Sequence, residues 1–85
     1  MSVDVFTGEI QGCVISALKN LGASTMAQLK IATSLHEVPV TIAIRNLQNA
    51  GIVEHGYVTP DGEWLDDYFP NEHLFTPVDA WRLVQ

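Results

Sequence analysis

The sequence predicts a small α+β domain, with three helices followed by an antiparallel hairpin or small sheet. Three observations carry this. Apolar residues recur at helical spacing in three capped segments before Gly51, and the periodicity switches to alternation after it. A proline-glycine turn then sits inside the alternating region. The chain is 85 residues with 47 % hydrophobic and 16 % charged side chains, enough apolar material for one core over residues 1–85 and little more.

The first helix is expected over residues 8–21. Ile10, Val14, Ala17, Leu18 and Leu21 share one face, Thr7 can cap the start and Gly22 can end the segment. Cys13 lies among these apolar residues, so a buried, inert thiol is expected. The second helix is expected over residues 26–35. Thr25 and Gln28 have the spacing of a capping box, and Met26, Leu29, Ala32 or Thr33, and Leu35 form its apolar side. The third helix is expected over residues 39–50, within PVTIAIRNLQNAGIV. Pro39 suits a first turn, Val40, Ala43, Ile44 and Leu47 make the stripe, and Gly51 suits the left-handed position past the end.

After Gly51, IVEHGYV reads as a strand, TPDG as a turn, and EWLDDYF as a returning strand. Pro70 and Asn71 interrupt the pattern, HLF resumes it, Pro77 breaks it again, and AWRLV closes the domain as a short strand. Whether Asp66 to Pro77 forms a strand, a long loop or a dimer arm stays open. Six of the seven aromatic residues fall between Tyr57 and Trp81, which predicts a sheet that covers the helices with ring area. Trp64 and Trp81 can each be core residues against the first helix or exposed anchors for a partner.

The order of elements resembles the winged helix-turn-helix superfamily over residues 8–84. The most specific portion is TMAQLKIATSLHEVPVTIAIRNLQNAGIVEHG, similar to regulators of the MarR, IclR and PadR kind, in which Leu-x-x-x-Gly-Ile-Val ends the third helix and a wing occupies residues 52–84. The resemblance implies a sequence-specific, double-stranded DNA-binding transcriptional regulator acting as a homodimer. Its third helix would present Val38, Thr41, Ile42, Arg45, Asn46 and Asn49 outward. Arg45 would then pair with guanine, Asn46 or Asn49 with adenine, and Thr41 with a phosphate or a thymine methyl. Each good bidentate contact would be worth about 1–3 kcal/mol of discrimination. Lys30 and Lys19 would contact phosphates.

Charge opposes that reading. The formal net charge is −6, and between Asn46 and Trp81 there is no Lys or Arg against seven acids. Phosphate binding draws on cations, and the wing tip TPDGEW offers Asp61 and Glu63 instead. Val38 and Ile42 also place apolar surface where a groove-reading helix is usually polar. The alternative is an acidic protein-interaction module, of the kind found in phages and mobile elements, that binds or blocks a basic partner. Its contact residues would be Val38, Ile42, Trp64, Asp61, Glu63, Asp66 and Asp67.

Catalysis is not expected. His36, His55 and His73 each adjoin a glutamate, but adjacent side chains diverge, and neither H-x-x-x-H nor C-x-x-C occurs. Asp66 and Asp67 would take opposite faces of a strand. No Gly-rich phosphate loop is present, and Ser16, Ser24 and Ser34 lack a visible base. No metal and no cofactor are expected. With no apolar run near the roughly 20 residues that span a bilayer, and no basic, apolar leader in MSVDVFTGEI, the chain reads as cytoplasmic and not membrane-bound.

Overall fold

The computed structural model describes residues 3–68 and 76–84, with side chains from Gly8 onward. Three helices pack against a four-stranded antiparallel sheet whose first strand lies between the first two helices in the chain. The helices are α1 (Val3–Leu21), α2 (Met26–Thr33) and α3 (Glu37–Asn49). The strands are β1 (Ser24–Thr25), β2 (Val53–Val58), β3 (Trp64–Leu65) and β4 (Val78–Leu83), in the sheet order β1-β4-β2-β3. This architecture is compatible with the winged helix-turn-helix arrangement that the sequence resembles.

The core is the apolar rows of the three helices meeting at one place. Ile10, Val14, Ala17 and Leu18 of α1, Leu29 of α2, and Val40, Ala43, Ile44 and Leu47 of α3 are buried together with Val53 of β2. Trp81 and Leu83 of β4 pack onto this cluster from the sheet. Their register partners, His55 and Val53, show that the inner face of the ribbon carries residues 53, 55 and 57 of β2 and 79, 81 and 83 of β4.

Helix ends follow the capping residues. The α1 helix closes with the Gly22 amide donating to the Leu18 carbonyl at 2.9 Å. At α2 the Thr25 hydroxyl accepts from the Gln28 amide at 3.3 Å and the Gln28 carboxamide oxygen accepts from the Thr25 amide at 2.9 Å, a complete capping box. The α3 helix ends in a Schellman motif: the Ile52 amide donates to the Leu47 carbonyl at 2.9 Å and the Gly51 amide to the Gln48 carbonyl at 3.0 Å. Gly51 holds φ +76 there, a conformation in which a side chain clashes with its own backbone. The chain thereby reverses straight into β2.

Several expectations are corrected. The α1 helix begins at Val3, so Thr7 lies inside it rather than capping it at residue 8. Leu21, the last residue of α1, is exposed despite its helical phase. The α2 helix stops at Thr33 rather than 35. Ser34 takes the left-handed conformation at φ 58, and Thr33 donates its hydroxyl back to the Leu29 carbonyl at 2.7 Å. Leu35 consequently reaches the core from the connector, not from a helix. The α3 helix starts at Glu37, two residues before Pro39, which still falls within the first turn where no intrahelical donor is needed.

Cys13 is exposed, contrary to the expected burial. It lines a shallow groove between α1 and α2 with Gly12, Ser16 and Ala32, one residue off the row formed by Ile10, Val14 and Leu18. Native protein is therefore expected to react at one thiol with a thiol-specific chromogenic reagent without denaturant. Protection until unfolding would contradict this placement.

The hairpin turn forms as the sequence predicts. The Gly62 amide donates to the Thr59 carbonyl at 2.9 Å, with Pro60 second and Gly62 fourth, while the Thr59 hydroxyl accepts from the Glu63 amide at 3.0 Å. The returning strand is far shorter than EWLDDYF. Among the described residues of that segment Trp64 and Leu65 alone pair with β2, and Asp66 and Asp67 lie in bends beyond it rather than on opposite faces of a strand. The closing strand begins earlier than expected, at Val78. It pairs over its whole length with β2 and, through Ala80 and Trp81, with the unforeseen β1. The HLF segment, Pro70, Asn71 and His73 lie outside the described residues.

Candidate interaction surface on the third helix

The α3 helix buries Val40, Ala43, Ile44 and Leu47 and turns its opposite side to solvent. Val38 and Ile42 are 68 % and 51 % exposed, and Arg45, Asn46 and Asn49 are exposed as well. Val38, Ile42, Arg45 and Asn49 follow the helical repeat and lie along one line, with Asn46 on one flank and half-buried Thr41 on the other. The line is apolar in its N-terminal half and polar in its C-terminal half. Ile31 of α2 is 81 % exposed, a further apolar side chain left in water near the end of the preceding helix.

Few of the cations are available to support this face. Arg45 is exposed and has no hydrogen-bond or ion-pair partner among the described residues. Lys30 lies 3.8 Å from Glu37 at the start of α3, a solvent-screened pair that adds little stability but offsets the lysine charge. Lys19 is in the last turn of α1, where it lines a second groove with Gly22, Arg82 and Val84. It is not part of the α3 surface.

Arg82 is committed elsewhere. Its Nε donates to the Glu54 carboxylate, its Nη2 lies 4.0 Å from Asp66, and its guanidinium carbon sits 4.2 Å above the Trp64 ring. The Trp64 indole in turn donates to the Asp66 carboxylate at 2.9 Å. Glu54, Gly56 and Val58 share the outer face of β2, so this network covers the side of the sheet turned away from the helices. Trp64 is thus neither a core residue against α1 nor a free anchor. Its ring fills the space above Gly56, and Arg82 stacks upon it. Trp81 takes the inner face and packs on the core.

On that inner face His55 contacts Trp81 and Tyr57 at ring-centroid distances of 5.4 and 5.1 Å, and its Nε2 bonds Asp79 at 2.9 Å. Tyr68 approaches Tyr57 at 5.8 Å. These rings meet edge-on or tilted, filling the end of the sheet with mutual contacts. At the hairpin tip Asp61 and Glu63 are exposed, and Asp66 and Asp67 follow, also exposed.

Among the described residues no group of three or more His, Cys, Asp or Glu side chains converges to hold a metal ion. None of the described helices is long and apolar enough to cross a membrane. Sequence reasoning overlooked the Glu54-Arg82-Trp64-Asp66 network. Its signal was the closing strand itself: once β4 lies beside β2, Arg82 stands opposite Glu54. Compared with known proteins, the chain matches no family profile, no curated protein and no solved structure.

Proposed function

We propose that the chain is a winged-helix interaction module whose outward α3 face contacts another protein. The observation that carries the reading is the exposure of Val38 and Ile42 one helical turn apart. Burying these side chains against a partner gains about 25 cal/mol per Å² of apolar surface, whereas hydrated phosphates offer nothing comparable. In helix-turn-helix DNA recognition the N-terminal residues of the reading helix meet the base edges. Here the outward line of that half is Val38 and Ile42, with Glu37 beside it.

Electrostatics supports the same choice. Arg45 is the one basic residue of α3, Arg82 is neutralised by Glu54 and Asp66, and the hairpin tip presents Asp61 and Glu63. Carboxylates beside phosphates raise the energy of a complex, and only salt relieves it.

Sequence-specific binding to double-stranded DNA is the second reading. Its favouring observation is that the Arg45, Asn46 and Asn49 side chains are exposed and have no hydrogen-bond partners among the described residues. That surface is suited to base edges if a homodimer doubles the cations and spans two half-sites.

A titration with fluorescent random and genomic duplex DNA at about 50 mM and about 200 mM salt separates the two. The protein-contact reading expects no binding at either concentration. Binding at the lower salt that Arg45→Glu abolishes would overturn it in favour of DNA.

A further inference from the structure

We propose that the partner received by α3 is an acidic amphipathic helix, whose aliphatic side chains cover Val38 and Ile42 and whose carboxylate reaches Arg45. The proposal rests on the protein-contact reading above and adds the partner's chemistry.

The net charge of −6 taken over the whole chain points to a basic partner, but the α3 face carries the opposite sign. Residues 26–49, which span α2 and α3, contain Lys30, Glu37 and Arg45 and no other Lys, Arg, Asp or Glu. Lys30 and Glu37 stand 3.8 Å apart and offset each other. Arg45 is left as the charge without a partner among the described residues, on the same line as the apolar pair and three residues past Ile42. At a helical rise of about 1.5 Å per residue it lies about 4.5 Å further along the axis, so one partner helix that covers the aliphatic pair also reaches the guanidinium.

This arrangement selects among occupants. A carboxylate beside Arg45 forms a charge-assisted hydrogen bond at the edge of an apolar contact, whereas a lysine or arginine there meets like charge. A second copy offers Arg45 no free acid from the same face, because Glu37 is already held by Lys30. A nucleic-acid phosphate could meet Arg45 but gives Val38 and Ile42 nothing apolar to bury against. The shape selects further. Val38 and Ile42 form a ridge along a convex helix, and such a ridge is received by the groove between side chains of another helix.

The test uses three synthetic amphipathic helices of equal length, each with the same leucine stripe, flanked by glutamates in one, by lysines in the second and by glutamines alone in the third. Binding to the full chain is read by fluorescence anisotropy at about 150 mM salt, where charges more than about 8 Å apart are largely screened and contact with Arg45 outweighs the net charge. The glutamate-flanked peptide is expected to bind, the glutamine peptide at least about threefold more weakly and the lysine-flanked peptide at least about tenfold more weakly. Val38→Ser/Ile42→Ser, at exposed positions and without change of charge, is expected to weaken the glutamate-flanked peptide at least about tenfold while circular dichroism and thermal unfolding stay unchanged. Arg45→Glu is expected to reverse the preference, so that the lysine-flanked peptide binds more tightly than the glutamate-flanked one.

Three results overturn the proposal, and they differ in what else they remove. Binding of the glutamine or lysine-flanked peptide as tight as that of the glutamate-flanked one, or a preference that Arg45→Glu leaves unchanged, refutes the acidic partner; loss of that binding in the double serine variant still leaves α3 as a protein contact. Glutamate-flanked binding that neither the double serine variant nor Arg45→Glu weakens removes the α3 face from both readings. Failure of the glutamate-flanked peptide to bind refutes the acidic amphipathic helix outright.

Discussion

Leu29→Ala is expected to destabilise the domain by about 2–5 kcal/mol, measured by urea or thermal unfolding. The α2 helix is eight residues, too short to persist by itself, and Leu29 is its one fully buried side chain. Leu29 is 0 % exposed and sits in the cluster formed with α1, α3 and β2, so truncation leaves a void that the surrounding rows can only partly close. A chain of 85 residues has a total stability of about 4–13 kcal/mol, so this single change removes a large part of it. Ile31→Ala, two residues further along the same helix, is the control. At 81 % exposure it is expected to shift stability by no more than about 0.5 kcal/mol. Equal losses for the two variants would refute the assigned orientation of α2.

Gly56→Ala is the second severe change, although it adds only a methyl group. A Cβ at this position would stand 2.6 Å from Cε2 of Trp64, closer still to Cζ2, and 2.7 Å from the carbonyl oxygen of Leu65. The indole cannot retreat freely: it donates to Asp66 and lies beneath the Arg82 guanidinium. The Leu65 carbonyl is backbone in the strand that pairs with Tyr57. Relief therefore requires β3 to move away from β2. The expected cost is about 1–3 kcal/mol, accompanied by a change in Trp64 fluorescence. Gly56→Ala/Trp64→Ala separates the two sources of strain. Recovery of stability relative to Trp64→Ala alone assigns the clash to the ring, whereas persistence assigns it to the Leu65 backbone. A Gly56→Ala protein with unchanged unfolding and unchanged fluorescence would refute the close approach.

The two variants also separate what local pattern reports from what contact reports. Leu29 stands out in the sequence because it follows a capping box at helical spacing. Gly56 does not, because glycine in an alternating run is compatible with a bulge, a turn or a close approach. Its role depends on a tryptophan eight residues away, delivered by a turn whose register the sequence specifies only at Pro60 and Gly62.

The chain itself determined the three helices, their inward rows on α3 and most of α1, the capping box at Thr25, the Schellman turn at Gly51 and the hairpin turn at Thr59. These are set by interactions between residues at most five apart, so their signals survive in one dimension. Tertiary structure alone decided that Cys13 faces water, that β3 is two residues long and that β1 exists at all. It also decided that Arg82, one of the four basic residues, is spent on Glu54, Asp66 and Trp64 rather than offered to a ligand. These follow from which strand lies beside which and from where a helix meets its neighbours, and side-chain periodicity carries no record of either.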